Sequence, residues 1–243
     1  MKFGKQIRRF ADPAQLNHCI AYDVLKKAIG VVVASEQRGG PDPDLSADIR
    51  EVSEAFGSNT PTDFHSRSVR PLDSRFHDLL QHELAKVNRY ADLQVRTILD
   101  SLRGAHRELA IASREGLSGD SLAALERRLE AVAEDLVRLE GFRRLNFTGF
   151  RKIAKKFDKR LSEASVNPGL GLLTSWFVPQ LMREPFVVAP LNPLILSLAW
   201  CYSGLRSFRR ASIGHAEPSS PKSATKASSP KSATKASSPK SAT

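Results

Sequence analysis

A chain of 243 residues that is 41% hydrophobic carries enough apolar mass for a packed core, in one good-sized domain or two small ones, and is not disordered throughout. Its formal charge of +11 is uneven: residues 218–243 hold five lysines and no acid, leaving the rest of the chain at +6, so both parts favour anionic partners. Two cysteines, Cys19 and Cys201, make neither a metal-type pair nor a disulfide framework, which sets a reducing compartment, cytoplasmic or nuclear, as the expectation.

Residues 1–10 are basic and weakly amphipathic, with Phe3, Ile7 and Phe10 at helical spacing and no apolar run of the signal-peptide kind. Asp12-Pro13 marks a turn into a second helix, predicted from about Pro13 to Ser35, whose apolar side is Leu16, Ile20, Leu25 and Ile29. On it Tyr22 and Lys26 lie i,i+4 with Lys27 beside them, a pattern too common to carry meaning alone. From residue 37 to 72 Gly, Pro, Ser and Asp take over, which predicts a long connection or insertion with a short helix around Leu45–Phe56.

Between Leu72 and Arg114, apolar residues from Phe76 to Leu109 recur at threes and fours and predict one helix of about eleven turns. Gly116 to Asp120 breaks it, and Asp120 is the expected N-cap of the next helix. There Leu122, Leu125, Leu129, Val132, Leu136 and Leu139 keep near-heptad order, as an antiparallel helical hairpin would.

The continuation of that helix is the most charged stretch of the body. At about 100° per residue, Lys152, Lys155, Lys156 and Lys159 fall within about 100° of one another, with Phe150, Ile153, Ala154, Phe157 and Leu161 on the opposite side. Each like-charged i,i+3 or i,i+4 pair costs roughly 0.2–0.5 kcal/mol. Asp158 and Glu163 are placed to relieve part of this. Alone, such a face is more simply a solvated helix surface than a seat for a multiply charged anion. Gly149 costs about 1 kcal/mol relative to Ala. Another backbone is therefore expected to pass close there, most simply the N-terminal helix, which would set Tyr22 and Lys26 opposite the lysines.

After Asn167-Pro168-Gly169, Leu172–Leu181 and Leu194–Phe208 read as two shorter helices, with Trp176, Phe177, Trp200 and Tyr202 as core anchors. The longest apolar stretch, Phe186 to Tyr202, is interrupted by Pro190, Asn192 and Pro193 and reads as a turn into a buried helix, not a membrane span. The tail repeats: Ser219 to Ala227 recurs from Ser228 and again, truncated, from Ser237. With nothing apolar to bury it should be disordered, and its three Ser-Pro-Lys steps suit proline-directed phosphorylation or weak, salt-sensitive DNA contact.

Four segments, in order, carry a family resemblance: Met1-Lys2-Phe3-Gly4-Lys5; Ile20-Ala21-Tyr22 to Lys27; Phe76 to Asn88 with Leu80, Glu83, Leu84, Lys86 and Val87; and Leu145-Asn146 through Thr148-Gly149-Phe150 to Lys159. Together they resemble an SPX domain over residues 1–210, with 37–72 as a loop or insertion and 211–243 as a basic tail. The resemblance implies an all-α fold: an N-terminal helical hairpin packed on two long antiparallel helices, two shorter C-terminal helices, then the disordered tail.

It also implies binding of inositol polyphosphates or pyrophosphates, and relay of phosphate status to a partner such as a transcription factor, a transporter or a polyphosphate polymerase complex. By motif position Tyr22, Lys26 and Lys156 match the family's phosphate-binding cluster. Lys152, Lys155 and Lys159 match its neighbouring lysine surface, and Lys2, Lys5 and Lys27 are possible additions. Two positions depart from the pattern, Gln15 where a tryptophan is usual and Cys19 where an aromatic is usual, and both fall on the packing of the first hairpin.

No catalytic residues, metal ligands or cofactor loop are expected. The six histidines show no metal spacing, Gly169-Leu170-Gly171 lacks the rest of a dinucleotide loop, and Glu83, Glu108, Glu134 and Asp135 read as solvated faces or lysine partners. A regulator is therefore expected, not an enzyme. The rival readings are a nucleic-acid or chromatin-associated helical protein acting through its tail, and a coiled-coil scaffold.

Overall fold

Two stretches keep an unbroken 3.6-residue apolar period, and around them the other helices are laid. The fold is that of a computed structural model, which describes residues 3–38, 72–116, 118–164 and 173–214. In chain order the helices are α1 (Phe3–Phe10), α2 (Tyr22–Arg38), α3 (Leu72–Glu115), α4 (Gly119–Glu163), α5 (Leu173–Leu181), α6 (Pro185–Val188) and α7 (Asn192–Gly214). No strand occurs among the described residues, and the fold is all-α. The helix expected around Leu45–Phe56, most of the 37–72 connection, the tail beyond residue 214 and Lys2 lie outside the described residues.

The α3–α4 pair is an antiparallel hairpin, as expected. The chain reverses at Gly116, whose φ of 79° is the left-handed turn that ends a helix cheaply only at glycine. Ser118, not Asp120, is the N-cap: its hydroxyl accepts from the Ser121 N–H at 3.2 Å, and Asp120 sits in the first turn. A small polar residue two positions earlier closes the turn more tightly, while the carboxylate still favours the positive helix end. The pair buries one continuous core that includes Leu80, Val87, Ile98, Leu125, Leu129 and Phe142.

The second helix starts later than its periodicity suggests. Asp12 Oδ1 accepts from the Ala14 N–H at 2.9 Å, and a single 3-10 turn, Leu16–His18, follows. The Ile20 N–H then donates to Asn146 Oδ1 of α4 at 2.7 Å, and the Ala21 N–H to Glu83 Oε2 of α3 at 2.6 Å. With those two donors held by side chains from distant helices, α2 begins only at Tyr22. Leu16 is exposed and supplies no apolar side, whereas Leu25 and Ile29 are buried as expected.

Three further corrections concern the C-terminal third. Trp176 and Trp200 are not core anchors: they are 43% and 58% exposed, each lying against a histidine of α3, His77 and His106. Phe177 is fully buried. The apolar run to Tyr202 does enter a helix, but one buried on a single side, by Leu194, Leu198, Cys201 and Leu205, while Ile195 and Leu196 face out. An extra short helix, α6, precedes it; the Phe186 N–H donates to Asn88 Oδ1 at 3.1 Å, and the Arg143 guanidinium donates to the carbonyls of Phe186 and Val187.

Candidate functional site

The predicted site residues come from three helices that meet at one end of the hairpin. Gly149 of α4 is the point of contact. A Cβ there would stand 2.7 Å from Ile20 Cγ2 and 3.2 Å from Phe3 Cε1. The close approach expected from the glycine is thus made by side chains of α1 and of the link before α2, not by a passing backbone. It seats α1 and the start of α2 against the lysine-bearing turns of α4.

Around that contact the aromatic ring of Phe3 touches two of the predicted site residues. The Lys152 ammonium lies 4.4 Å from its centroid, a cation–π distance, and the Tyr22 ring meets it edge-on at 5.0 Å. Tyr22 is half-buried, and its phenol is held above its ordinary pKa first by burial and then by the neighbouring Asp23 carboxylate, so it is a hydroxyl donor at neutral pH. Phe3 entered the sequence reading only as an apolar position; its contact with Lys152 needs the tertiary fold to be seen.

Lys156 of α4 lies within electrostatic reach of Lys26 of α2. The Lys156 ammonium is lowered from its ordinary pKa, first by partial burial and then by Lys26, with Arg160 and Lys159 adding to the effect. Two cations brought together and partly stripped of water form an unfavourable pair that an anion would relieve. Lys155 is exposed beside them, and Lys159 is exposed with Glu163 at 3.6 Å. Glu163 therefore relieves the lysine face as expected, but Asp158 does not. Its carboxylate caps α5 instead, accepting from the N–H groups of Leu173 at 2.7 Å and Thr174 at 3.0 Å and from the Thr174 hydroxyl.

Of the possible additions, Lys5 is exposed on α1 and Lys27 on α2. The residues that hold the arrangement are a buried pair that charge patterning hides. Of its two readings, solvated face or lysine partner, Glu83 takes the second: it is buried, and besides the Ala21 N–H it binds Lys86 at 2.7 Å. Asn146 is fully buried, accepting from Ile20 and donating to the Phe142 carbonyl at 2.8 Å. The two departures from the family pattern pack into the same joint. Gln15 is buried and hydrogen-bonds Tyr90, and Cys19 is a buried free thiol that burial pushes up to about 11.

A cleft of about 570 Å³ opens on the other side of Tyr22, which lines it, between α1, the link at 16–21, the start of α2 and α3. It is not the seat of the lysines, and its two cations are already neutralised, Arg8 by Asp23 at 2.8 Å and Lys86 by Glu83 at 2.7 Å.

What these parts define is a helical domain with an electropositive face at one end of its long hairpin. A family model of the SPX domain matches residues 120–166. The chain is 25% identical over 86% of its length to vacuolar transporter chaperone complex subunit 2 of Toxoplasma gondii, and 31% identical over 68% of its length to the subunit of the same name of Saccharomyces cerevisiae. It spans 24% and 19% of those relatives. Among solved structures, the SPX domain of Chaetomium thermophilum glycerophosphodiester phosphodiesterase 1, in complex with inositol hexakisphosphate, superposes with a TM-score of 0.57 at 19% identity over 86% of this chain and 99% of that one. The chain carries an SPX domain. No helix among the described residues is long and apolar enough to cross a membrane.

Proposed function

We propose that this domain binds inositol polyphosphates or pyrophosphates between α2 and α4, and relays phosphate status to a partner protein without itself catalysing a reaction. The observation that carries the reading is the Phe3 ring, which brings Tyr22 of α2 and Lys152 of α4 together one turn before Lys156, itself partly desolvated and within electrostatic reach of Lys26. A phosphorylated ring brings several dense charges, and ammonium groups, each with three donors in no fixed plane, suit a ligand read as a cloud of charge. Tyr22 adds a directional hydrogen bond. Lys152, held on Phe3, with Lys155 and Lys159, widens the electropositive surface, and Lys5 and Lys27 border it. The likeness to a domain solved with inositol hexakisphosphate supports the ligand class.

Relay follows from the same geometry. Relief of the Lys26–Lys156 repulsion fixes α2 and α1 against α4, so the ligand changes how firmly that face is presented to a partner. Residues 1–210 are proposed as the functional unit and 211–243 as a tail, in a chain working in the cytoplasm or nucleus.

Calorimetry with inositol hexakisphosphate tests the site. Tyr22→Phe, Lys26→Ala and Lys156→Ala combined should weaken binding by about a hundredfold or more, since contacts to charged groups are each worth roughly 1.5–3 kcal/mol. Circular dichroism should stay at the wild-type helical signal. Unchanged affinity in a folded triple variant would show that the pocket is elsewhere.

A further inference from the structure

The outer face of α4 carries a second charged feature beside the lysine pocket. Residues 141–157 hold six cations and no acid. Arg143 turns inward to the α6 carbonyls, while Lys152 and Lys156 face α1 and α2. Arg144, Arg151 and Lys155 remain exposed on the outer face. Some exposed arginines elsewhere are paired on the surface, Arg96 with Asp92, Arg128 with Glu108, Arg138 with Glu134 and Arg209 with Glu126, while others, Arg89, Arg107, Arg127 and Arg183, have no ion pair among the described residues. The stripe differs in gathering three such cations on one helix face, with no acid between residues 141 and 157. Arg151 is also held in place, with its guanidinium 5.6 Å from the centre of the Phe147 ring.

Spacing turns the stripe into a seam. Val137, Gly141, Arg144, Thr148, Arg151 and Lys155 follow one another by fours and threes, which keeps them on one line of an α-helix for about 27 Å. Val137 is 73% exposed, and nothing lies within 4 Å of the position a Cβ would take at Gly141. One end of the line is apolar and low; the other is cationic.

We infer that an acidic, amphipathic helix of a protein partner docks along this line, with apolar side chains on Val137 and Gly141 and carboxylates opposite Arg144, Arg151 and Lys155. Charge decides between occupants. The half of α4 before Gly141 carries Glu130, Glu134 and Glu140, which would repel a nucleic acid or an anionic bilayer laid along the helix. A helix with an apolar end and an acidic end matches both halves, and a planar guanidinium pairs with a carboxylate two bonds at a time. The inference rests on the relay reading for what the partner is for, and on the stripe alone for where it sits.

The test uses the full chain and a synthetic three-heptad helical peptide with Leu facing Val137 and Glu facing Arg144, Arg151 and Lys155, followed by fluorescence anisotropy. Arg144→Glu with Arg151→Glu should weaken peptide binding by about tenfold or more, and the milder Arg144→Gln with Arg151→Gln by a smaller factor in the same direction. Inositol hexakisphosphate affinity should fall by less than about threefold in the Gln pair, and in the Glu pair by far less than in the pocket variant, because neither arginine lines the pocket. The Tyr22/Lys26/Lys156 triple variant should do the reverse, losing the inositol phosphate and keeping the peptide, so failure of the pocket and failure of the seam are separable. Absence of peptide binding overturns the inference, as does equal binding by the arginine variants or by a scrambled peptide of the same charge. Duplex DNA that binds more tightly than the peptide and suffers the same loss in the variants would reassign the stripe to nucleic acid.

Discussion

On helix propensity alone, Gly149→Ala would add about 1 kcal/mol of stability. Its surroundings reverse the sign. The new methyl would stand 2.7 Å from Ile20 Cγ2, a branch atom that cannot swing aside, on a residue that is 2% exposed and whose backbone N–H is tied to Asn146. The expected result is a loss of about 1–3 kcal/mol in urea denaturation, with weaker inositol hexakisphosphate binding because Phe3 and the start of α2 are pushed off α4. A variant more stable than wild type would show that α1 is not seated there. At this scale the glycine was legible as a close approach, since nothing else accounts for its cost in mid-helix, but the neighbour was not. Ile20 and Phe3 lie more than a hundred residues away in the chain, and a glycine says only that something is near.

Whole helices separate what periodicity can tell from what it cannot. The two long helices are legible in the sequence with nearly correct ends because local spacing is repeated for many turns, so one misleading residue changes little. The start of α2 is not, for the opposite reason: its N–H groups are taken by Glu83 and Asn146, 62 and 126 residues further along, and no local pattern announces that. The same limit applies to the tryptophans. Spacing places a side chain on a face of a helix but not that face against a neighbour, so Trp200 and Phe177 look alike in sequence and differ in the fold. Phe177→Ala should cost about 3–5 kcal/mol, the usual range for emptying a buried phenyl site. Trp200→Ala, which loses one histidine contact at 4.6 Å from a side chain already 58% exposed, should cost distinctly less, about 1–2 kcal/mol. Denaturation midpoints of the two variants check this ordering, and equal losses would place Trp200 in the core after all.

Across the whole molecule the question is which cations answer which anion. The pocket and the seam lie on a body of net charge +6 that mixes both signs, whereas the tail adds five lysines with no acid among them. Charge that is neither paired nor shaped binds phosphate backbones without regard to sequence, with a steep salt dependence; charge fixed on packed helices selects by geometry. Deleting residues 218–243 therefore separates the two behaviours. If the tail makes the DNA contacts, the slope of log affinity against log salt should fall in magnitude by up to about 4.5, corresponding to five lost phosphate contacts, and affinity should collapse near physiological salt. Inositol hexakisphosphate affinity should stay within about twofold, because Tyr22, Lys26 and Lys156 are positioned by Phe3, Asn146 and Glu83, none of which the deletion touches. A parallel fall in both affinities would mean that the tail takes part in the ligand site, and the division of labour between body and tail would have to be abandoned.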